Sequence, residues 1–344
     1  MSKIKIFVTY FTDDKPYIGS DIYQPIMAGN MGKTLPAGFI GDDTGDNISH
    51  LNKTYGEMTA HYWIWKNYLP TAKEEYVGLC HYRRFLDFAL CSRYNMDKED
   101  EHSPLIIIYY QYFIKYLFSH YTEKSIMPVI EGYDLILTYQ WYLKHTTNRA
   151  QYDIFHNRGE LVRALAVLNK LYPEYTPYAN EFLDDNKGYY CFCAVMKKGL
   201  LEEYLTWQFN IMKHLEIGNT WDQSYEYNII RTPAFVMERL YNVWIRYQID
   251  SNKIKILSLP CFKLVSFEDV KPSLRVKYIK KYAMQNINIE EGAVDRLAIR
   301  HPFLTKLVRK LVNKQKYYKL LGDPKSFFFD SHSLMIRLVG VFYK

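Results

Sequence analysis

The chain has 344 residues, 48% of them hydrophobic, and a formal net charge of +7. It is long enough to bury one large domain plus an appendage, and this composition excludes wholesale disorder. Residues 271–344 carry 16 Lys and Arg against 5 Asp and Glu, which leaves the first 270 residues at about −4. In HPFLTKLVRKLVNKQKYYKLL those bases alternate with Leu, Val and Phe at helical spacing. That pattern suits an anionic membrane surface better than a nucleic-acid groove.

Five cysteines (Cys80, Cys91, Cys191, Cys193, Cys261) lack metal-finger spacing and read as reduced, mostly buried thiols of a cytosolic compartment. The opening MSKIKIFVTYF is interrupted by Lys5 and has no cleavage site, so it does not read as a signal peptide. The most apolar run, LIIIYYQYFIKYLF, carries Lys115 and falls short of the roughly 20 residues a membrane helix needs. The expected location is therefore cytoplasmic and peripheral, on the inner face of the membrane. The 33 Tyr and 19 Phe suit either sugar stacking or core packing.

Residues 3–11 are β-branched and aromatic and predict a first strand, with Tyr10–Thr12 as its carboxyl rim and Tyr10 and Thr12 as donor-side candidates. Residues 17–29 and 32–41, rich in Gly and Pro, read as a long loop. Asp46 or Asn47 with Ser49 starts a helix that runs from Tyr55 through Trp65 to Pro70. Residues 76–80 predict a short strand ending in His81-Tyr82-Arg83-Arg84. The segment 105–121 leans toward helix. Further strands are expected at 133–138, 189–196 and 255–259, and helices at 159–171 and 200–215. The stretch 221–247 reads as two helices broken at Thr232-Pro233. This alternation argues for an α/β fold with a mainly parallel sheet. The G-x-G-x-x-G fingerprint and the P-loop are both missing, which excludes the usual dehydrogenase and NTPase designs.

Two clusters carry chemistry. His81, Arg83 and Arg84 at one strand end are suited to a diphosphate, because guanidinium groups make bidentate, charge-assisted bonds to phosphate oxygens. Asp42-Asp43-Thr44-Gly45-Asp46 offers three carboxylates in five residues, but it lacks the calcium-loop pattern. An acidic turn with a helix cap, or a hydrogen-bonding site for ribose or sugar, is favoured over a metal site. The histidines show no H-E-x-x-H spacing and the serines no G-x-S-x-G, which disfavours hydrolases.

DDTGDNIS, NKTYGEMTAHYWIWKN and YVGLCHYRRFLDF resemble the signature of a bacterial family of capsular and exopolysaccharide glycosyltransferases, formerly catalogued as a domain of unknown function. EEYLTWQFNIMKHLE and RTPAFVMERLYNVWI resemble its second half. The resemblance covers roughly residues 3–250. It implies a GT-A-like fold and, for some members, galactosyl or galactofuranosyl transfer from a UDP-sugar. Carried onto this sequence, it points to Asp43, Asn47, Asn52, Glu57, His81, Tyr82, Arg83 and Arg84 on the donor side, and to Trp207, Arg231, Glu238 and Arg239 in the second half. CFCAVMKK replaces the family's Asn-containing strand, and Thr232-Pro233 replaces a Gly and Phe. Both departures fall in the acceptor half.

The reading is a GT-A-like (Rossmann-like) catalytic domain over residues 1–265, with a mainly parallel sheet flanked by helices. A basic, helical, membrane-associating extension over 266–344 follows it. The expected activity is transfer of a hexose, galactose or galactofuranose, from a UDP-sugar to a lipid-linked oligosaccharide in capsule, exopolysaccharide or O-antigen assembly. Asp222 is the candidate base and Glu238 a site-shaping carboxylate. No tightly bound cofactor is expected. Mn2+ or Mg2+ is the less favoured option, since the strand end offers cations where an Asp-x-Asp would stand. Nucleic acid is not an expected partner. The competing reading is a non-catalytic carbohydrate- or nucleotide-binding protein.

Overall fold

The computed structural model describes residues 2–88, 105–110, 113–114, 118–143, 146–190, 192–216 and 230–265. Two compact units divide the chain. The first comprises Met1–Ala89, Lys98–Ile106 and Gln111–Leu264, and it holds the sheet path and helices below. The second comprises Leu90–Asp97, Ile107–Tyr110 and Val265–Lys344, of which only 107–110 and 265 are described. The predicted basic helices of 271–344 therefore lie outside the described residues, as do Cys91, Cys191 and Asp222.

The strands are β1 (Ile4–Tyr10), β2 (Tyr23–Met27), β3 (Ile40–Gly41), β4 (Tyr76–His81), β5 (Arg84–Leu86), β6 (Leu105–Tyr109), β7 (Leu135–Thr138), β8 (Trp141–Tyr142), β9 (Lys187–Gly188), β10 (Ala194–Lys197), β11 (Ile256–Leu259) and β12 (Cys261–Val265). The main sheet runs β11-β7-β10-β4-β1-β2-β3. β1 pairs in parallel with β2 and β4, and β7 in parallel with β11, whereas β10 is antiparallel to both β4 and β7. The first four strands thus follow the 3-2-1-4 order of doubly wound sheets. All six residues of β4 are buried, as expected of a strand covered on both faces.

Two strands lie within the stretch read as a long loop. Pro25 and the neighbouring glycines hid β2, which nevertheless pairs residue for residue with β1, Val8 opposite Pro25. The segment 105–121, read as helical, contains strand β6, in keeping with its β-branched Ile106–Ile108 run. The helix expected from Tyr55 is broken into a 3-10 turn (Ser49–Leu51), α1 (Asn52–Tyr55), α2 (Met58–Trp63) and a π turn (Ile64–Tyr68). Gly56 makes the break: its φ of +59° is a left-handed value that favours glycine. Asn52 Nδ2 spans it, donating to Gly56 O (2.7 Å) and to Thr59 Oγ1 (3.0 Å).

The remaining helices are α3 (Glu123–Ile130), α4 (Asn148–Phe155), α5 (Arg158–Leu171), α6 (Thr176–Asp184), α7 (Lys198–Glu216) and α8 (Thr232–Ser251). Pro233 lies in the first turn of α8, where its missing N–H is harmless; Ile230 is helical and Arg231 a turn, so a helix break falls just before the expected Thr232-Pro233, while 221–229 lie outside the described residues. α8 packs on α6, and α7 on α5. Their shared interior is aromatic. Tyr175 stacks on Tyr247 at 4.0 Å, and Tyr204 meets both Trp244 (5.0 Å) and Tyr241 (5.2 Å). Much of the aromatic surplus is thus core. Cys80, Cys193 and Cys261 are buried free thiols.

Gly78, in the central strand, admits no side chain. A Cβ there would stand 2.8 Å from Val195 Cγ2 and 2.9 Å from Ile6 Cγ1. Gly78→Ala is expected to lower stability by about 1–3 kcal/mol. Denaturant titration should show a lower midpoint with an unchanged slope.

Candidate active site at the carboxyl ends of β1 and β4

The chain leaves β1 for β2 on one side and returns through β4 on the other, so the sheet order reverses between β1 and β4. Ligands of open α/β sheets bind outside the strand carboxyl ends at such a point. Here those ends supply Phe11 after β1 and His81, Tyr82, Arg83 and Arg84 after Cys80.

The residues form a connected shelf. Tyr82 stacks on Tyr10 (5.4 Å, 25°), the His81 ring lies 4.2 Å from that of Tyr82, and Phe11 sits 5.5 Å from His81. The Arg83 guanidinium is 5.2 Å from the Tyr82 ring centroid, and that of Arg231 is 5.7 Å from the Phe11 ring. Arg231 caps the start of α8, so its charge adds to the positive end of a 20-residue helix. A Cβ at Gly56 would stand 2.6 Å from Arg231 Nη1, so the glycine also permits a close approach. The next residue, half-buried Glu57, brings a carboxyl into this field.

The electrostatics separate the expected bases. Burial, reinforced by the Arg84 and Arg83 charges, holds the His81 imidazole well below its ordinary range. It is neutral at pH 7, and its Nδ1 accepts a hydrogen bond from Arg83 N (3.3 Å), which leaves the proton on Nε2. His81 therefore adds a donor and no charge. That corrects the count of three bases at the strand end: the cations are Arg83 and Arg84, joined by Arg231. Burial pushes the Glu57 carboxyl up to about 7; Arg84 opposes the rise, Glu238 reinforces it, and Arg231 and Arg83 oppose it.

The acidic turn is organised by the protein itself. Asp42 is fully buried and accepts from Gly29 N (2.8 Å), Asn30 N (3.0 Å) and Ser49 Oγ (2.5 Å). Asp43 accepts from Asn30 Nδ2 at 3.0 and 3.1 Å, and Asp46 from Tyr62 OH at 3.1 Å. Asn47 is a turn former, accepting from Ser49 N at 3.3 Å and donating to Gly45 O at 3.0 Å. The following helix fixes the turn through Trp63 Nε1 to Thr44 Oγ1 (2.8 Å) and Asn67 Nδ2 to Asp46 O (2.8 Å). Among the described residues no group of three or more His, Cys, Asp or Glu is arranged to hold a metal ion.

Other expected site residues have different posts. Tyr10 is buried, its hydroxyl donating to Pro16 O (2.9 Å) and accepting from Ile18 N (3.1 Å), so it supports Tyr82 from below. Thr12 is exposed and donates to the Asp14 carboxylate. Asn52 is committed to the Gly56 break. Trp207, expected at the acceptor, is 4% exposed and packs on Tyr175 (5.3 Å) in the helical core. Arg239 is also interior. It pairs with Glu238 Oε2 (2.6 Å), donates to Gln151 Oε1 (2.6 Å) and lies 5.2 Å from both the Tyr152 and Tyr190 ring centroids. Phe11, the middle residue of the rim expected at Tyr10–Thr12, is the one of the three that meets His81 and Arg231.

The fold and this strand end define a mixed α/β protein with a cluster of arginines at the topological switch point. Residues 5–249 match the family described as "Domain of unknown function (DUF4422)", and the chain belongs to that family. A solved structure, the apo form of the bifunctional glycosyltransferase WbbM, is similar over 77% of this chain at 29% identity, with a TM-score of 0.66. The similar part is 46% of the WbbM chain, so this protein corresponds to about half of it. No curated protein matches. The likeness bears out the GT-A-like α/β fold class.

Glu57→Gln has a pH-dependent stability signature. A carboxyl raised from 4.5 to about 7 favours the folded state below the lower value, and that contribution is lost as pH rises through the upper one. The variant should therefore gain on the parent protein between pH 5 and pH 8, by on the order of 2 kcal/mol once solvent screening of the half-buried group is allowed for. Paired thermal melts at the two pH values measure this.

Proposed function

We propose that this chain is a glycosyltransferase that moves a hexose from a UDP-sugar to a lipid-linked oligosaccharide. The observation that carries the reading is the gathering of Arg83, Arg84 and Arg231 at the switch point. Three cations with a neutral histidine donor beside them suit a diphosphate, and Phe11 and Tyr82 give flat surfaces for the attached rings. The likeness to WbbM supports glycosyl transfer in particular. By the sequence resemblance, galactose or galactofuranose is the favoured sugar, and surface-polysaccharide assembly (capsule, exopolysaccharide or O-antigen) the favoured setting.

In this reading the arginines hold the diphosphate in the ground state and meet its growing charge as the anomeric C–O bond breaks. They replace the divalent ion of an Asp-x-Asp site. Glu238, anchored by buried Arg239, shapes the acceptor side. The basic stretch 271–344 would bring the site to an anionic membrane surface, with about 1 kcal/mol per Lys or Arg near the surface. No helix among the described residues is long and apolar enough to cross a membrane.

Calorimetric titration with UDP should show that Arg84→Ala and Arg231→Ala each weaken binding about 10- to 100-fold, as loss of a charge-assisted contact predicts. UDP release from UDP-galactose or UDP-galactofuranose should proceed unchanged in excess EDTA. Binding without release from any UDP-sugar would make the protein a nucleotide binder and not a transferase.

Removing residues 266–344 should release the protein from vesicles containing anionic lipid. Retained binding would show that the basic stretch does not anchor it.

A further inference from the structure

Two carboxylates share the arginine field, and they differ in what they are free to do. Glu238 is committed to a short ion pair with Arg239, a side chain buried from solvent. The Glu57 carboxyl accepts no hydrogen bond from any described residue, although the charges of Arg84, Arg231 and Arg83 all act on it. Its position is fixed from two directions. Its backbone follows Gly56, whose Cα faces the Arg231 guanidinium, and its charge is felt at the Cys80 thiol near the end of β4. Glu57 therefore stands between the end of the central strand and the start of α8, amid the groups that suit a diphosphate.

A glycosyl donor's reacting carbon is bonded directly to that diphosphate. A base serving an incoming hydroxyl must lie within a few ångströms of the phosphate clamp, and it must be a carboxylate free to receive a proton. We propose that Glu57 is the general base of the transfer reaction. The assignment rests on the glycosyl-transfer reading. In the step, the acceptor O–H gives its proton to Glu57, and the oxygen's electron pair forms the new bond to the anomeric carbon. The bond from that carbon to the diphosphate oxygen breaks, and the nucleoside diphosphate departs with its electron pair toward Arg84 and Arg231. The environment suits proton transfer, because burial raises the carboxyl to about 7 while the arginines keep it from rising further. A base poised near working pH combines an available unprotonated form with real basicity. The commitment of Glu238 to Arg239 leaves it to steer the acceptor.

The test uses the full chain with UDP-galactose and UDP-galactofuranose as donors, and water or octyl galactoside as acceptor. Rates of UDP release are followed from pH 5 to pH 9, and UDP affinity is measured in parallel. The parent protein should show a rate that climbs tenfold per pH unit below about 7 and then levels. Glu57→Gln should lose at least about 100-fold in kcat, keep its UDP affinity within about threefold, and lose the pH step. Glu57→Asp should retain the step at a reduced rate. A Glu57→Gln enzyme within about threefold of the parent kcat, or one that loses UDP affinity while keeping kcat, overturns the assignment; so does a pH step that vanishes in Asp222→Asn but survives in Glu57→Gln. If the parent protein neither binds UDP nor releases it, the glycosyl-transfer reading itself fails.

Discussion

The site depends on one electrostatic constraint: the guanidinium groups of Arg83, Arg84 and Arg231 act together at a strand end, with the Glu57 and Glu238 carboxyls beside them. Like charges at close range repel, and the start of α8 adds partial positive charge of its own. Glu57 does not balance this field at neutral pH, because burial keeps it close to half protonated. Glu238 is turned toward Arg239. The anion proposed to answer this field is a diphosphate, with two or more negative charges. Burial, reinforced by the same field, lowers the proton affinity of His81, which converts a residue that sequence alone counts as a cation into a neutral donor.

Holding such a field steady requires rigid surroundings, and the acidic turn shows how they are built. Asp42 closes three hydrogen bonds inside the protein, one each to Gly29, Asn30 and Ser49, and so ties the exit of β2 to the start of the helical segment. Trp63 and Asn67 fasten the turn from the helix side. The Gly56 break then redirects the chain so that Glu57 faces the strand end. The aromatic wall of α5 to α8 anchors α8 and with it Arg231. Polar residues that look like ligands in the sequence are thus divided between those that build the frame and those that face the site.

How legible this was varied with the physics. The α/β alternation and the basic strand end could be read directly, because apolar runs closed by polar turns have few alternatives in three dimensions. β2 was hidden because Pro25 breaks the local pattern, while its pairing with β1 is a tertiary fact. The helix read from Tyr55 to Pro70 was begun too early, because periodicity does not register the positive φ of Gly56; the chain is helical from Met58 through Tyr68. Trp207 and Arg239 carry the family pattern, but burial decides their role, and burial depends on packing that no spacing encodes. The proximity of Arg231 to Arg84 joins positions nearly 150 residues apart, and only the topology reveals it. Apart from the local backbone turn at Gly56, a long-range contact overrode a local signal in these misses.

The most direct measurement is a crystal structure of the protein grown with UDP and Mn2+ both present. The account predicts the diphosphate within hydrogen-bond distance of the Arg84 and Arg231 guanidinium groups, with no metal ion bridging its phosphates and the Glu57 carboxyl open toward the departing oxygen. A diphosphate bound through Mn2+ to carboxylates, or seated away from the ends of β1 and β4, would contradict it.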